Sequence, residues 1–195
     1  MNNIEAGGDA ASAQDGTGAG IARSVSASEQ AHAHGRYVAE CFGADGALKW
    51  SDTIENLVTT VGKNFALDTL LAGSAYTAAV VMGLKGVGTA VIGDTQASHA
   101  SWQELGLANA PAYSGTRKTP AFSAASAGSK VTSAAVSFVF TSGSALTVAG
   151  CFINLGGSST IDSTTGTLYS AGDFTGGNKT VSSGDTLNVT WTGSM

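Results

Sequence analysis

The chain has 195 residues, 43% of them hydrophobic and only 12% charged, with 27 Gly, 2 Pro and a formal net charge of -5. That length fits one domain with a tail, and a folded domain of roughly 150 residues buries about 70% of its unfolded-chain surface, so a real core is within reach. The charge balance leaves no electrostatic footprint for nucleic acid and no basic amphipathic stretch for a membrane, and no apolar run reaches transmembrane length.

Globular chains average about 25% charged residues. Here Ser, Thr, Ala and Gly stand in for the missing charges, a surface suited to packing against other subunits. Met1–Ala10 has neither a basic n-region nor an apolar h-region, so the expectation is a soluble protein made in a cytoplasm.

Residues 1–34 read as a flexible or extended arm, rich in Ala, Gly and Ser. Ile4, Ile21 and Val25 stand alone there, too few to build a core. Two readings stay open: a disordered tail, or an arm that becomes ordered against neighbouring chains. Residues 35–195 read as the β-rich domain. Arg36–Phe42 has strand character, Gly43–Gly46 is a turn by composition, and Ala47–Asp52 returns as a second strand with Leu48 and Trp50 on one face. Ile54–Val61 fits a helix by spacing and a strand by β-branching; an extended segment is expected.

Asn56–Leu84 has the most persistent apolar pattern and is expected to be the centre of packing. Phe65, Leu67, Leu70 and Leu71 have near-helical spacing, Gly73 sits at a C-cap position, and Ala78–Leu84 reads as a buried strand. Gly86–Ala110 reads as a polar surface excursion, too long for a turn. Pro111–Gly115 is a turn, followed by a short strand over Thr116–Phe122. Val136, Phe138 and Phe140 share one face of Lys130–Thr141. With Ala145–Leu155, turned at Ser142–Ser144, that segment predicts a hairpin. Gly156–Thr165 is a loop, and Thr167–Ser170 and Lys179–Val181 are short strands. Leu187, Val189 and Trp191 alternate cleanly in a last strand.

The expected core joins Val136, Phe138, Phe140, Leu146, Val148, Phe152, Leu187, Val189 and Trp191 to the four apolar helix residues. The fold class is mainly β: an antiparallel sandwich or jelly-roll-like domain with one short helix and an extended N-terminal arm.

Signs of chemistry are thin. His32 and His34 form a His-Ala-His without a third ligand nearby. His99 sits beside Trp102 and Glu104, where a local hydrogen bond is the ordinary role. The Asp residues fall in or beside turns, where carboxylates satisfy backbone amides; Asp173 and Asp185 lack a calcium-loop pattern. There is no GxSxG and no phosphate loop. Cys41 and Cys151 read as small buried hydrophobes. The expectation is no catalysis, no metal and no cofactor. Ile4, Ile21, Val25, Tyr37, Trp102, Tyr113 and Arg117 are the candidate partner contacts.

Five phrases, YVAECFGADGALKWSDTIENLVTTVGKNFALDTLLAGSAYTA, ASHASWQELG, TRKTPAF, GTLYSAGDF and SGDTLNVTWT, occur in this order. Together they resemble small virion structural proteins encoded among the head genes of tailed double-stranded DNA bacteriophages. The resemblance runs from about Tyr37 to the last residue, and the arm falls outside it. It implies a virion component assembled in the host bacterial cytoplasm. The leading expectation is a capsid decoration or cement protein that binds the major capsid protein, bridges its subunits and self-associates as a dimer or trimer. The alternative is a tail or fibre component, an adaptor or receptor-contacting subunit that displays loops such as Gly86–Ala110.

Overall fold

The computed structural model describes residues 33–71 and 79–194. In chain order the elements are β1 (His34–Phe42), β2 (Leu48–Val58), α1 (Thr60–Leu71), β3 (Val80–Lys85), β4 (Glu104–Leu105), β5 (Ser129–Val131), β6 (Val136–Val139), β7 (Leu146–Val148), β8 (Gly150–Leu155), β9 (Thr167–Asp173), β10 (Lys179–Val181) and β11 (Thr186–Ser194). Nine strands join one sheet in the order β4-β3-β8-β9-β2-β1-β11-β5, with β6 also on β11, and β10 pairs β7 separately. The fold is mainly β, antiparallel and sandwich-like, as the alternation predicts.

β1 shows how the pattern dictates the strand. Successive side chains of a strand face opposite ways. Tyr37, Ala39 and Cys41 are therefore buried, while Arg36, Val38 and Glu40 point outward. β1 pairs β2 through the expected turn and lies along β11 on its other edge. On β11, Leu187, Val189 and Trp191 face inward. β2 is shared between two halves of the sheet: residues up to Asn56 pair with β1, and Leu57 and Val58 pair with β9. Tyr37, Ile54 and Val189 from one half meet Met82, Leu84 and Ile153 from the other in one core cluster. The Tyr37 and Ser170 hydroxyls lie 2.9 Å apart within it.

Five expectations need correction. α1 exists but is not the centre of packing. Leu67 is 54% exposed and Leu71 80% exposed, and Phe65 is only half-buried. The helix docks instead through its small N-terminal residues. The Thr59 hydroxyl caps it, accepting from the Gly62 amide at 3.1 Å. Gly62 lies so close to β9 that an added Cβ would sit 2.5 Å from the Tyr169 carbonyl oxygen. The side chain of Leu70 and the expected cap Gly73 lie outside what is described.

The predicted hairpin is not a ladder. β6 pairs β11, β7 pairs β10, and β8 pairs β3 and β9. Val136, Phe138, Phe140 and Val148 are buried as expected, but Leu146 is only half-buried, and Cys151 and Ile153, expected on the opposite face, lie in the main core. Phe152, however, points away from the main core into a second cluster with Trp102, Leu168 and Ala171. β8 is thus covered on both faces. On β2, Trp50 packs edge-on against Phe174 at 5.4 Å, but Leu48 is exposed. Thr116–Phe122 makes only single bridges, Lys118 to Met82 and Phe122 to Thr132.

Candidate functional site

The Gly86–Ala110 excursion is folded down onto the sheet. After β3, the Gly86 amide donates to the Gln103 carbonyl at 2.8 Å, so the two arms of the loop run side by side. Gly88 is the position that permits this approach. Its φ is +113°, and a Cβ there would meet the Ser101 carbonyl oxygen at 1.7 Å. At the tip, Asp94 accepts from the Val91 amide and from the Trp102 indole, both at 2.9 Å. Trp102 then lies against Phe152, 5.6 Å between ring centres, and covers the outer face of β8. His99 stacks on Trp102 at 3.9 Å and makes the local hydrogen bond expected of it, to the Trp102 carbonyl.

Arg117 fixes the base of the excursion. Its guanidinium donates to both Glu104 carboxylate oxygens, Nε at 2.8 Å and Nη2 at 2.6 Å, with side chains 0% and 1% exposed. The remaining donors reach the Ser158 and Ser163 carbonyls. Glu104 also accepts from the Asp162 amide at 2.9 Å. One buried pair therefore ties β4 and the 158–163 loop to the 111–122 segment. This charge-assisted fork has the planar geometry that only Arg supplies.

Between the excursion and that loop lies a polar cleft of about 470 Å³, lined by Gln96, His99, Glu104, Asn109, Asp162 and Thr164 among others. Asn109 bridges its walls. Its side-chain amide donates to the Glu104 carbonyl at 2.9 Å and to both Asp162 carboxylate oxygens at 3.2 Å.

A second hollow has the opposite character. At the sandwich end where β11 finishes and β3 begins, Val80, Phe122, Leu155, Tyr169 and Trp191 enclose about 220 Å³. An adjoining space of about 310 Å³ extends along Gly128, Ser129 and Gly193. The two share Lys130, Tyr169 and Trp191, so they form one apolar groove with a cation at its rim. Lys130 stands 5.7 Å from the Phe122 ring centre.

The predicted contact residues are not on either surface in the way expected. Tyr37 and Tyr113 are 0% exposed, Arg117 2% and Trp102 3%. All four are interior, so this is a correction: their side chains hold the fold and present no free face to a partner. Tyr113 packs edge-on against Phe138 at 5.1 Å. Ile4, Ile21 and Val25 lie outside the described residues. Sequence reasoning missed Gln96, Glu104, Asn109 and Asp162, which build the cleft. The available signal was the run of polar side chains in an excursion too long to be a turn.

Burial pushes the Cys41 thiol up to about 11, with the nearby Asp185 carboxylate adding to it, and burial pushes Cys151 higher still. Both are free and stay protonated, which makes them inert. Among the described residues no three His, Cys, Asp or Glu side chains converge as metal ligands. No helix among them is long and apolar enough to cross a membrane. No protein-family model matches the chain, and no curated protein or solved structure matches it significantly.

Proposed function

We propose that this chain is a virion structural protein of a tailed double-stranded DNA bacteriophage: a decoration subunit that binds the outside of the head and bridges major capsid subunits. The observation that carries the reading is the open apolar groove ringed by Phe122, Tyr169 and Trp191. Aromatic side chains in a ready-made hollow are the usual anchors of a protein interface. The distribution of charge supports it. Lys49, Lys85, Arg117 and Lys179 each pair with a carboxylate of this chain. The outward face of β1, β2 and β11 presents Val38, Thr53 and Thr190 in one cross-strand row. That row is small and uncharged, and the exposed Arg36, Glu40 and Glu55 on the same face would form a charged rim around it. The order of phrases from Tyr37 onward supports the same reading.

The mechanism is mechanical. A subunit seated across a boundary between capsid subunits adds buried area there, and binding the closed shell in preference to the ruptured one raises the barrier to rupture. A stable contact needs more than about 1,000 Å² in total. The groove alone is smaller than that, so the sheet face and the Ala/Gly/Ser-rich residues 1–33 share the attachment. Small side chains let a backbone lie close along a neighbour, at an entropic cost on ordering.

The test is sedimentation of the full chain with DNA-filled heads that lack it. Saturation on the order of hundreds of copies, the number icosahedral symmetry offers, is the expected result. Lys130→Glu at the groove rim and deletion of residues 1–33 should each weaken binding while the circular dichroism spectrum stays unchanged. Heads that bind no protein would sink the proposal. Saturation at about a dozen copies, the number a tail ring offers, favours the second reading, an adaptor or receptor-contacting tail component. What favours that reading is the surface cleft formed by the 86–110 excursion.

A further inference from the structure

We propose that the polar cleft beneath the 86–110 excursion is a binding site for a neutral saccharide. Its volume, about 470 Å³, suits one or two sugar rings. It stands apart from the apolar groove, and the inference does not depend on where in a particle the chain sits.

The chemistry of the walls selects the ligand. Among the described residues no Lys or Arg lines the cleft. The nearest guanidinium, Arg117, is 0% exposed and directs its donors at Glu104, Ser158 and Ser163. What the cleft offers is acceptors, chiefly the Asp162 carboxylate and the side-chain amide oxygens, because the Glu104 carboxylate is already occupied by Arg117 and the Asp162 amide. A phosphate, sulfate or sialic acid would meet the Asp162 carboxylate, with no free cation among the described lining residues. A ligand rich in hydroxyl donors fits instead.

Gln96 makes the argument more than a matter of two acids. It is 3% exposed and lines the cleft wall. Its amide nitrogen donates to the Ser163 carbonyl at 3.2 Å, while its buried oxygen has no partner among the described residues. A buried acceptor without a donor costs free energy, and such an atom calls for a donor from outside. A sugar hydroxyl supplies one. Across the cleft, Asp162 is held at φ +62° by its amide bond to Glu104. Asp is one of the few residues that enter this left-handed conformation readily, helped by local hydrogen bonds. There it turns its carboxylate to Asn109, which donates to both oxygens. The Asp162–Asn109 pair thus holds the carboxylate acceptors fixed at the cleft wall. His99, half-buried and stacked on Trp102, forms the aromatic part of the wall against which the C–H face of a ring can lie.

The experiment uses the full chain with four probes, maltohexaose, cellohexaose, chitohexaose and mannohexaose. Sialyllactose and calcium chloride alone serve as controls, and binding is read by saturation-transfer NMR and calorimetry. At least one neutral hexasaccharide is expected to bind with a dissociation constant of about 1 mM or tighter. Asp162→Gly suits the backbone conformation and removes the carboxylate. Gln96→Leu removes the unpaired acceptor. Each should weaken binding by about tenfold or more with the circular dichroism spectrum retained. Absence of binding by all four probes at about 10 mM would overturn the proposal. So would binding that survives both substitutions, equal binding of sialyllactose, or a calorimetric response to calcium chloride alone that the same substitutions abolish. If Gln96→Leu fails to fold, Asp162→Gly alone decides.

Discussion

Arg117 and Glu104 invite the most direct test of how this fold is held. Arg117→Ala would remove a guanidinium that is 0% exposed, with bonds at 2.8 and 2.6 Å to Glu104 and further bonds to the Ser158 and Ser163 carbonyls. Glu104, 1% exposed, would keep the Asp162 amide and lose its counter-charge. Breaking one side of a buried pair costs about 3–5 kcal/mol, because the remaining charge stays desolvated. At about 2–4 °C per kcal/mol for a domain of this size, the melting temperature should fall by roughly 6–20 °C. Arg117→Lys keeps the charge but cannot make the fork, and should recover only part of the loss. The double change Arg117→Met with Glu104→Leu removes both charges. It should lie within about 2 kcal/mol of the parent, since replacing a whole buried pair by apolar side chains is often neutral. Urea unfolding of the four proteins measures all of this. A loss below about 1 kcal/mol for Arg117→Ala, the range of exposed ion pairs, would mean that the pair is solvated and the reasoning is wrong.

Phe138 is fully buried against Tyr113, so Phe138→Ala should cost about 3–5 kcal/mol. Leu71→Ala, on the exposed helix face, should stay within about 0.5 kcal/mol. Equal losses in urea unfolding would reverse the assignment of the core. Asp52 carries a pH dependence. Burial alone would raise its carboxyl, but the Lys179 ammonium, the Thr175 hydroxyl and the Thr53 and Gly176 amides together hold it at about 2, below its ordinary 3.8. Its folded value is depressed, so the stabilisation is complete above the unfolded value and disappears as pH falls from about 4 through about 2. Asp52→Asn should lower stability at pH 6 by about 2 kcal/mol and show a shallower acid loss; identical acid limbs for the two proteins would refute it.

The parts of this fold that were legible in the sequence are those set by local alternation. Tyr37, Ala39 and Cys41 on β1, and Leu187, Val189 and Trp191 on β11, declare a buried face because the side-chain period of a strand is two. What alternation does not encode is the neighbour. β6 and β7 follow one another with a turn-like Ser142–Ser144 between them, yet β6 pairs β11 and β7 pairs β10. Those choices are made by surfaces far away in sequence. The helix misled for a related reason. Leu67 and Leu71 do form a stripe, but the approach to β9 is won by Gly62, whose lack of a side chain leaves no hydrophobic signal. The cleft was the least legible. Arg117 looks like any surface Arg until Glu104 and the 158–163 loop are brought beside it, and Gln96 and Asp162 carry meaning only through backbone geometry.

β1 lies between β2 and β11, and its nine register pairs with β11 run from His34↔Ser194 to Phe42↔Thr186. The strand made first among the described residues is therefore completed by the strand made last. During synthesis the β1–β2 hairpin can form early, but its other edge stays open until Thr186–Ser194 has been made. An open edge with Val38 on its outward face is a template for pairing with another copy. Closure across so long a stretch of chain is also slow, because loop entropy must be overcome before the contacts form. An unpaired β1 edge in that interval predicts aggregation that grows with concentration, so soluble yield should fall as expression is driven harder.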